Sequence, residues 1–208
     1  PWLPLLRLRP AALAQTFGDE PDDYDMYEVL QLHNQRRGLH CARNIGWDLA
    51  VENAARLAAD NSPTGATDTE KRIIDGEQCG ENLCNGLPPL SFKTCFENWY
   101  AQINNTAGGA GSVQAFSAST SAYAQVVWRS TSKLGCGTGI HTVQTADGST
   151  TTIQNFACWY CQTGNVVGLY STQVAAAGQD CGQPGAAGQG SGQQGAGQGG
   201  AGEQGTGG

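Results

Sequence analysis

The chain reads as an α+β domain held together by disulfides, on three observations. Apolar residues recur at helical spacing through the first half, and after Trp128 the pattern becomes that of a long hairpin. Eight cysteines, an even number, stand at 41, 79, 84, 95, 136, 158, 161 and 181. Such a count in an oxidising compartment means bridges.

The first helix opens at Asp22 and Asp23, whose carboxylates can cap free amides and favour the positive end of the helix dipole. Met26, Val29, Leu30 and His33 follow at helical spacing. Arg36 and Arg37 sit near the negative end, and Gly38 is the expected stop. A second helix after Gly46 places Trp47, Ala50, Val51, Ala54, Leu57 and Ala58 on one apolar face. A third carries Phe92, Cys95, Phe96, Trp99 and Ile103. Strands over 134–145 and 150–161 flank Ala146-Asp147-Gly148, a three-residue loop if Gly148 is left-handed. That loop pairs 145 with 149, hence 136 with 158, which predicts the bridge Cys136–Cys158 across neighbouring strands.

The other six cysteines allow fifteen pairings, and the set we adopt is Cys84–Cys95, Cys41–Cys79 and Cys161–Cys181. The rival for these positions is zinc, held by Cys79 and Cys84 with Cys158-x-x-Cys161. A redox reading of Cys158-x-x-Cys161 is disfavoured, because it falls late on a strand rather than at a helix start that would stabilise a thiolate.

At 208 residues, with 39% hydrophobic and 14% charged, the chain fits one domain plus extensions. A net charge of −7, with no Lys or Arg after Lys133, excludes nucleic acid as a partner class. Residues 1–20 read as a leader or disordered lead-in, since Ala12-Leu13-Ala14 before Gln15 resembles a small-x-small cleavage site. The domain is expected over 22–175. Residues 178–208, nearly all Gly, Gln and Ala, read as a disordered tail. Its Gly190-x-Gly192-x-x-Gly195 matches a dinucleotide fingerprint only by composition, with no strand before it and no helix after it. No stretch approaches the length of a membrane span, and a soluble monomer is expected.

Four blocks in order resemble the CAP superfamily: cysteine-rich secretory proteins, antigen 5 and plant pathogenesis-related 1 proteins. They are His33-Asn34-x-x-Arg37 with Leu39-His40 and Trp47-Asp48; Gly80-Glu81-Asn82-Leu83; Phe116-Ser117 with Tyr123-x-Gln125-Val126-Val127-Trp128 and Leu134-Gly135-Cys136-Gly137; and Asn155-Phe156-Ala157-Cys158-Trp159-Tyr160 with Gly164-Asn165-Val166. They span about residues 24–170, nearest in texture to plant and fungal members. The resemblance implies a three-layer α-β-α sandwich with a central antiparallel sheet, a concave cleft and secretion.

Many members hold two His and two Glu in the cleft, a set suited to a divalent metal. Here the resemblance yields a damaged set. Glu81 matches one carboxylate, Gln102 stands for the other, and Ala122 replaces a histidine. The second histidine has no counterpart in Asp75-Gly76-Glu77-Gln78-Cys79. Asp75 or Glu77 as a stand-in would leave a site favouring calcium or magnesium over zinc. Glu81 has a second reading, a local hydrogen bond holding a Gly80–Leu83 turn. His33, His40 and His141 read as structural or surface residues, so no functional zinc site and no cofactor are expected.

Catalysis lacks a base in the cleft and has no Gly-x-Ser-x-Gly elbow. The expected function is binding. Some relatives bind sterols or fatty acids through an aromatic-bearing loop, which here is 104–122, with Phe116 and then Tyr123 as the candidate contacts. Asn104-Asn105-Thr106 is a glycosylation sequon. The alternatives are a cell-wall or matrix interaction protein using its tail, and a divergent hydrolase.

Overall fold

The computed structural model describes residues 26–179 and Cys181. The expected leader, the Asp22–Asp23 cap and most of the tail lie outside the described residues. In chain order the elements are α1 (Met26–Leu39), β1 (Gly46–Trp47), α2 (Leu49–Asn61), β2 (Ile73–Ile74), β3 (Glu77–Gly86), α3 (Phe92–Ala101), α4 (Ser121–Val127), β4 (Lys133–Gln144), β5 (Thr150–Cys161) and α5 (Tyr170–Gln173). The sheet order is β1-β4-β5-β3-β2. Only the short β1 runs parallel to its neighbour; every other pairing is antiparallel. The fold is a three-layer α-β-α sandwich, with α2 on one face of the sheet and α1, α3 and α4 on the other.

The layer carrying α2 depends on glycine. Gly135, Gly137 and Gly139 alternate along β4 toward one face, and a methyl on them would overlap the Glu52 amide, the Arg56 Cα and the Ala59 carbonyl, respectively. Helix backbone therefore rests directly on strand. Asp48 starts the helix by accepting from the amides of Ala50 and Val51 at 2.9 and 3.1 Å. Val51, Ala55 and Ala59 are the residues that reach the sheet. The expected face, which ran through Leu57, is thus rotated. Leu57 is 55% exposed, because small residues one turn apart are what the glycine stripe admits.

The opposite layer holds the main core, with Phe92, Phe96, Tyr123, Trp128, Phe156 and Tyr160 among its buried rings. Helix α1 does not stop at Gly38 but runs to Leu39, and Cys41 takes the left-handed conformation that turns the chain away. Arg37 is fully buried. Its guanidinium donates to the carbonyls of Arg43, Val126, Trp128 and Thr131 at 2.8–2.9 Å. Its charge thus lies at the carbonyl end of α4, which a cation favours. Burial lowers it to about 10, so it stays charged at neutral pH. Asn34 clamps Ile45 by accepting from its amide and donating to its carbonyl. The His-Asn-x-x-Arg block is therefore a set of struts.

All eight cysteines are bridged, as Cys41–Cys181, Cys79–Cys161, Cys84–Cys95 and Cys136–Cys158. Gly148 is left-handed, Thr145 and Ser149 close the hairpin, and Cys136 stands opposite Cys158. The pairings Cys41–Cys79 and Cys161–Cys181 are corrected. Gly80–Leu83 is not a turn but part of the strand β3, whose register sets Cys79 directly across from Cys161. Cys41 is left to the segment returning from α5. That segment packs beyond residue 175, through Ala177 N–H to Ala110 and Gly178 N–H to Leu39. With every sulfur in a bridge, the Cys79/Cys84/Cys158/Cys161 zinc reading is overturned too. No helix among the described residues is long and apolar enough to cross a membrane.

Candidate functional site

Helix α2 and the chain that follows it leave a groove of about 500 Å³ over β5. Leu57, Ala54 and Ala58 form one bank, Ala66 and Thr67 the other, and the Trp159 indole forms the floor. Asn61, Asp68 and Lys71 supply a polar rim. The groove exists because the stretch 62–72 leaves the end of α2 and returns to the sheet, where Asn155 holds Ser62, Gln78 holds Thr69 and Arg72, and a buried carboxylate serves as the anchor between them.

That anchor is Glu81. Its Oε2 accepts from Arg72 Nη1 at 2.8 Å and from the Thr67 amide at 3.4 Å, while Oε1 accepts from Trp159 Nε1 at 3.0 Å. Arg72 in turn donates to the Thr67 carbonyl and the Thr69 hydroxyl. Only 5% of the Glu81 side chain and 15% of the Arg72 side chain are exposed. Burial raises the Glu81 carboxyl above its ordinary range, with Arg72 and the N–H donors pulling the other way. Glu81 thus orients the groove floor and ties down its far bank. It holds a strand rather than the local turn expected.

Gln102, Asn82 and the three histidines make bonds within the fold. Gln102 Oε1 accepts from the amides of Ala122 and Tyr123, at 2.9 and 3.3 Å, and so caps α4. Asn82 donates to the Ala122 carbonyl at 3.0 Å. His33 donates from Nδ1 to the Val29 carbonyl and accepts the Tyr160 hydroxyl on Nε2. His40 likewise donates to the Ala175 carbonyl and accepts the Tyr100 hydroxyl. Burial depresses both imidazoles, His33 to about 3. His141 reaches the Ala59 carbonyl from β4. No histidine lines the groove.

The two candidate loop contacts lie in different surroundings. Tyr123 is fully buried, its hydroxyl donating to the Gly111 carbonyl at 2.7 Å beside His40. It is a core strut, because α4 turns that ring inward, and a ligand-contact role is corrected. Phe116 is 59% exposed and lines neither the groove nor the second cavity described below. Asn104 is exposed at the end of a short helical turn, while Thr106 of its sequon is buried and bonded. Sequence reasoning missed the groove itself. Its one local signal was Leu57, out of phase with the Val51–Ala55–Ala59 stripe.

The model of the CAP, or cysteine-rich secretory protein, family matches residues 30–163. The chain belongs to this family. Among curated relatives, cysteine-rich secretory protein 3 of Equus caballus is 28% identical over 150 residues, covering 70% of this chain. The match covers only 59% of that relative's length. Among solved structures, NaASP2 with Zn2+ superposes with a TM-score of 0.53 at 21% identity, covering 68% of this chain and 81% of that one. Na-ASP-1 superposes with a TM-score of 0.52 at 15% identity, covering 79% of this chain and 43% of that one. At these identities the superpositions show the fold.

The donors that a CAP metal site would use do not fit a metal here. Residues alternate across a strand, so Glu81 faces α2 while Asn82, one position on, faces α4. The sheet separates Glu81 from Gln102 and Ala122. Glu81 is neutralised by Arg72, and Glu77 by Lys133 at 3.0 Å. Asp75 sits exposed in the left-handed β2–β3 turn. Among the described residues no group of three or more His, Cys, Asp or Glu is placed to hold an ion.

Proposed function

We propose that this CAP-domain protein works outside the cell as a non-catalytic binder, taking an apolar molecule with one polar head, of the sterol or fatty-acid kind, in the groove over Trp159. The observation that carries this reading is the groove, about 500 Å³ in volume with an apolar floor and bank and a polar rim. Its floor is preorganised, since Glu81 fixes the indole before a ligand arrives. The charge beneath is cancelled by Arg72, which suits an apolar occupant. Four disulfides favour an oxidising compartment. The exposed Asn104 sequon suits the same route, as an acceptor for glycan.

A fluorescent sterol and palmitate, titrated into the full chain, test the proposal. Saturable binding weakened at least about tenfold by Leu57→Glu, and untouched by Phe116→Ala, is the expected result. Leu57 is exposed, so the substitution leaves the core intact. No saturable binding of either probe would end the reading. Binding that survives Leu57→Glu but is lost with Phe116→Ala would move the site to the loop.

A further inference from the structure

A second cavity, of about 610 Å³, opens on the other side of the molecule, beside the Cys41–Cys181 bridge. Its walls are the turn after α1, the turn at 129–132, the end of α5, Gln179 and Cys181. We propose that it binds a small oxyanion: a sulfate, phosphate or carboxylate group.

The first reason is an orphaned donor. Arg129 Nε is buried with no hydrogen-bond partner, and Nη1 has only a long 3.4 Å contact to the Thr172 carbonyl. Buried guanidinium N–H groups are rarely left unpaired, because the lost solvation is not returned. The second reason is charge. Arg43 shares the cavity, and among the described residues neither arginine enters an ion pair. No Asp or Glu is found among the described lining residues, in a chain of net charge −7. The buried Arg37 lies behind the same turn, donating to the Thr131 carbonyl at 2.8 Å. Two guanidiniums thus share the cavity, and among the described residues neither is met by a carboxylate.

The third reason is that the turn carrying Arg129 and the two serines is held in place. The Arg129 and Ser130 amides are fixed by the Gln173 carbonyl and side chain at 3.2 and 2.9 Å, and Thr131 Oγ1 is fixed by the Gln162 carbonyl at 2.8 Å. The Ser130 and Ser132 hydroxyls point to no protein partner among the described residues. Guanidinium forks match the geometry of oxyanions, and a fixed donor set gives them specificity. The occupant is small. A polyanion would extend from the cavity into the field of an acidic chain, whereas a single group lies beside the two arginines.

Isotope-labelled protein titrated with sodium sulfate, phosphate and acetate, at ionic strength fixed with sodium chloride, tests the proposal. The Arg129 Nε–H signal and the amides of residues 130–132 report binding. At least one anion should give a saturable shift, and the anion that binds tightest names the head group. Arg129→Gln and Arg43→Gln should each weaken it about tenfold or more, with the amide spectrum otherwise unchanged. Shifts that stay linear and match those of chloride would overturn the proposal. So would a saturable shift that both variants keep.

Discussion

Acid should destabilise this domain through His33. The imidazole is fully buried, with ring centroids of Phe96, Tyr160 and Phe92 at 4.8, 5.6 and 6.1 Å. Its Nδ1–H donates to the Val29 carbonyl at 2.8 Å, so the lone pair on Nε2 receives the Tyr160 hydroxyl at 2.9 Å. A second proton would have to enter where that hydroxyl points. Burial first, and the Arg37 charge after it, lower the pKa from 6.5 to about 3, against the Val29 bond. Below pH 6.5 the unfolded chain therefore takes up a proton that the folded chain refuses. The stability linked to His33 is complete above that value and drains as pH falls toward about 3, at about 1.4 kcal/mol per unit. By about pH 4.5 the loss is about 2–3 kcal/mol. Urea unfolding of the wild type and of His33→Gln, at about pH 7.5 and about pH 4.5, isolates this contribution. Glutamine keeps an acceptor for Tyr160 but cannot titrate, and the carboxylates and His40 are common to both proteins. The variant starts weaker at neutral pH and loses about 2–3 kcal/mol less on acidification. Parallel losses in the two proteins, or a folded-state His33 resonance titrating near its ordinary value, would refute the reasoning.

Three further outcomes are expected. Arg37→Met strands four carbonyls and should cost about 3–5 kcal/mol in urea unfolding, with Arg37→Lys recovering only part, since an ammonium lacks the fork. Gly137→Ala drives a methyl into the α2 backbone at Arg56 and should cost about 1–3 kcal/mol; a loss within about 0.5 kcal/mol would mean that the helix does not rest on the strand. Peptide mapping without reduction should recover Cys41–Cys181 and Cys79–Cys161. Replacing both Cys41 and Cys181 by Ser, which releases a bridge spanning 140 residues, should lower stability by about 2–5 kcal/mol.

What the sequence determined by itself is whatever short range decides. The hairpin at 145–149 follows from loop length and Gly148, and it carries Cys136 to Cys158 by counting. Helical spacing likewise placed the buried face of α3. The family blocks were legible too, although their roles were not. His33, Asn34 and Arg37 were placed together on the opening helix, and only packing showed each spanning to a different partner.

Tertiary structure alone decided β3. Its sequence holds Gly80, Asn82 and Asn85, residues of low strand propensity, and it becomes a strand because β5 offers it a complete ladder. From that pairing come the Cys79–Cys161 bridge, the facing of Glu81 toward Trp159, and the separation of Glu81 from Gln102. The physical reason is distance along the chain. Cys79 and Cys161 lie 82 residues apart, and no local period encodes which strand will lie beside which. The groove over Trp159 and the cavity beside the Cys41–Cys181 bridge were invisible for the same reason, since their walls meet only after the layers close.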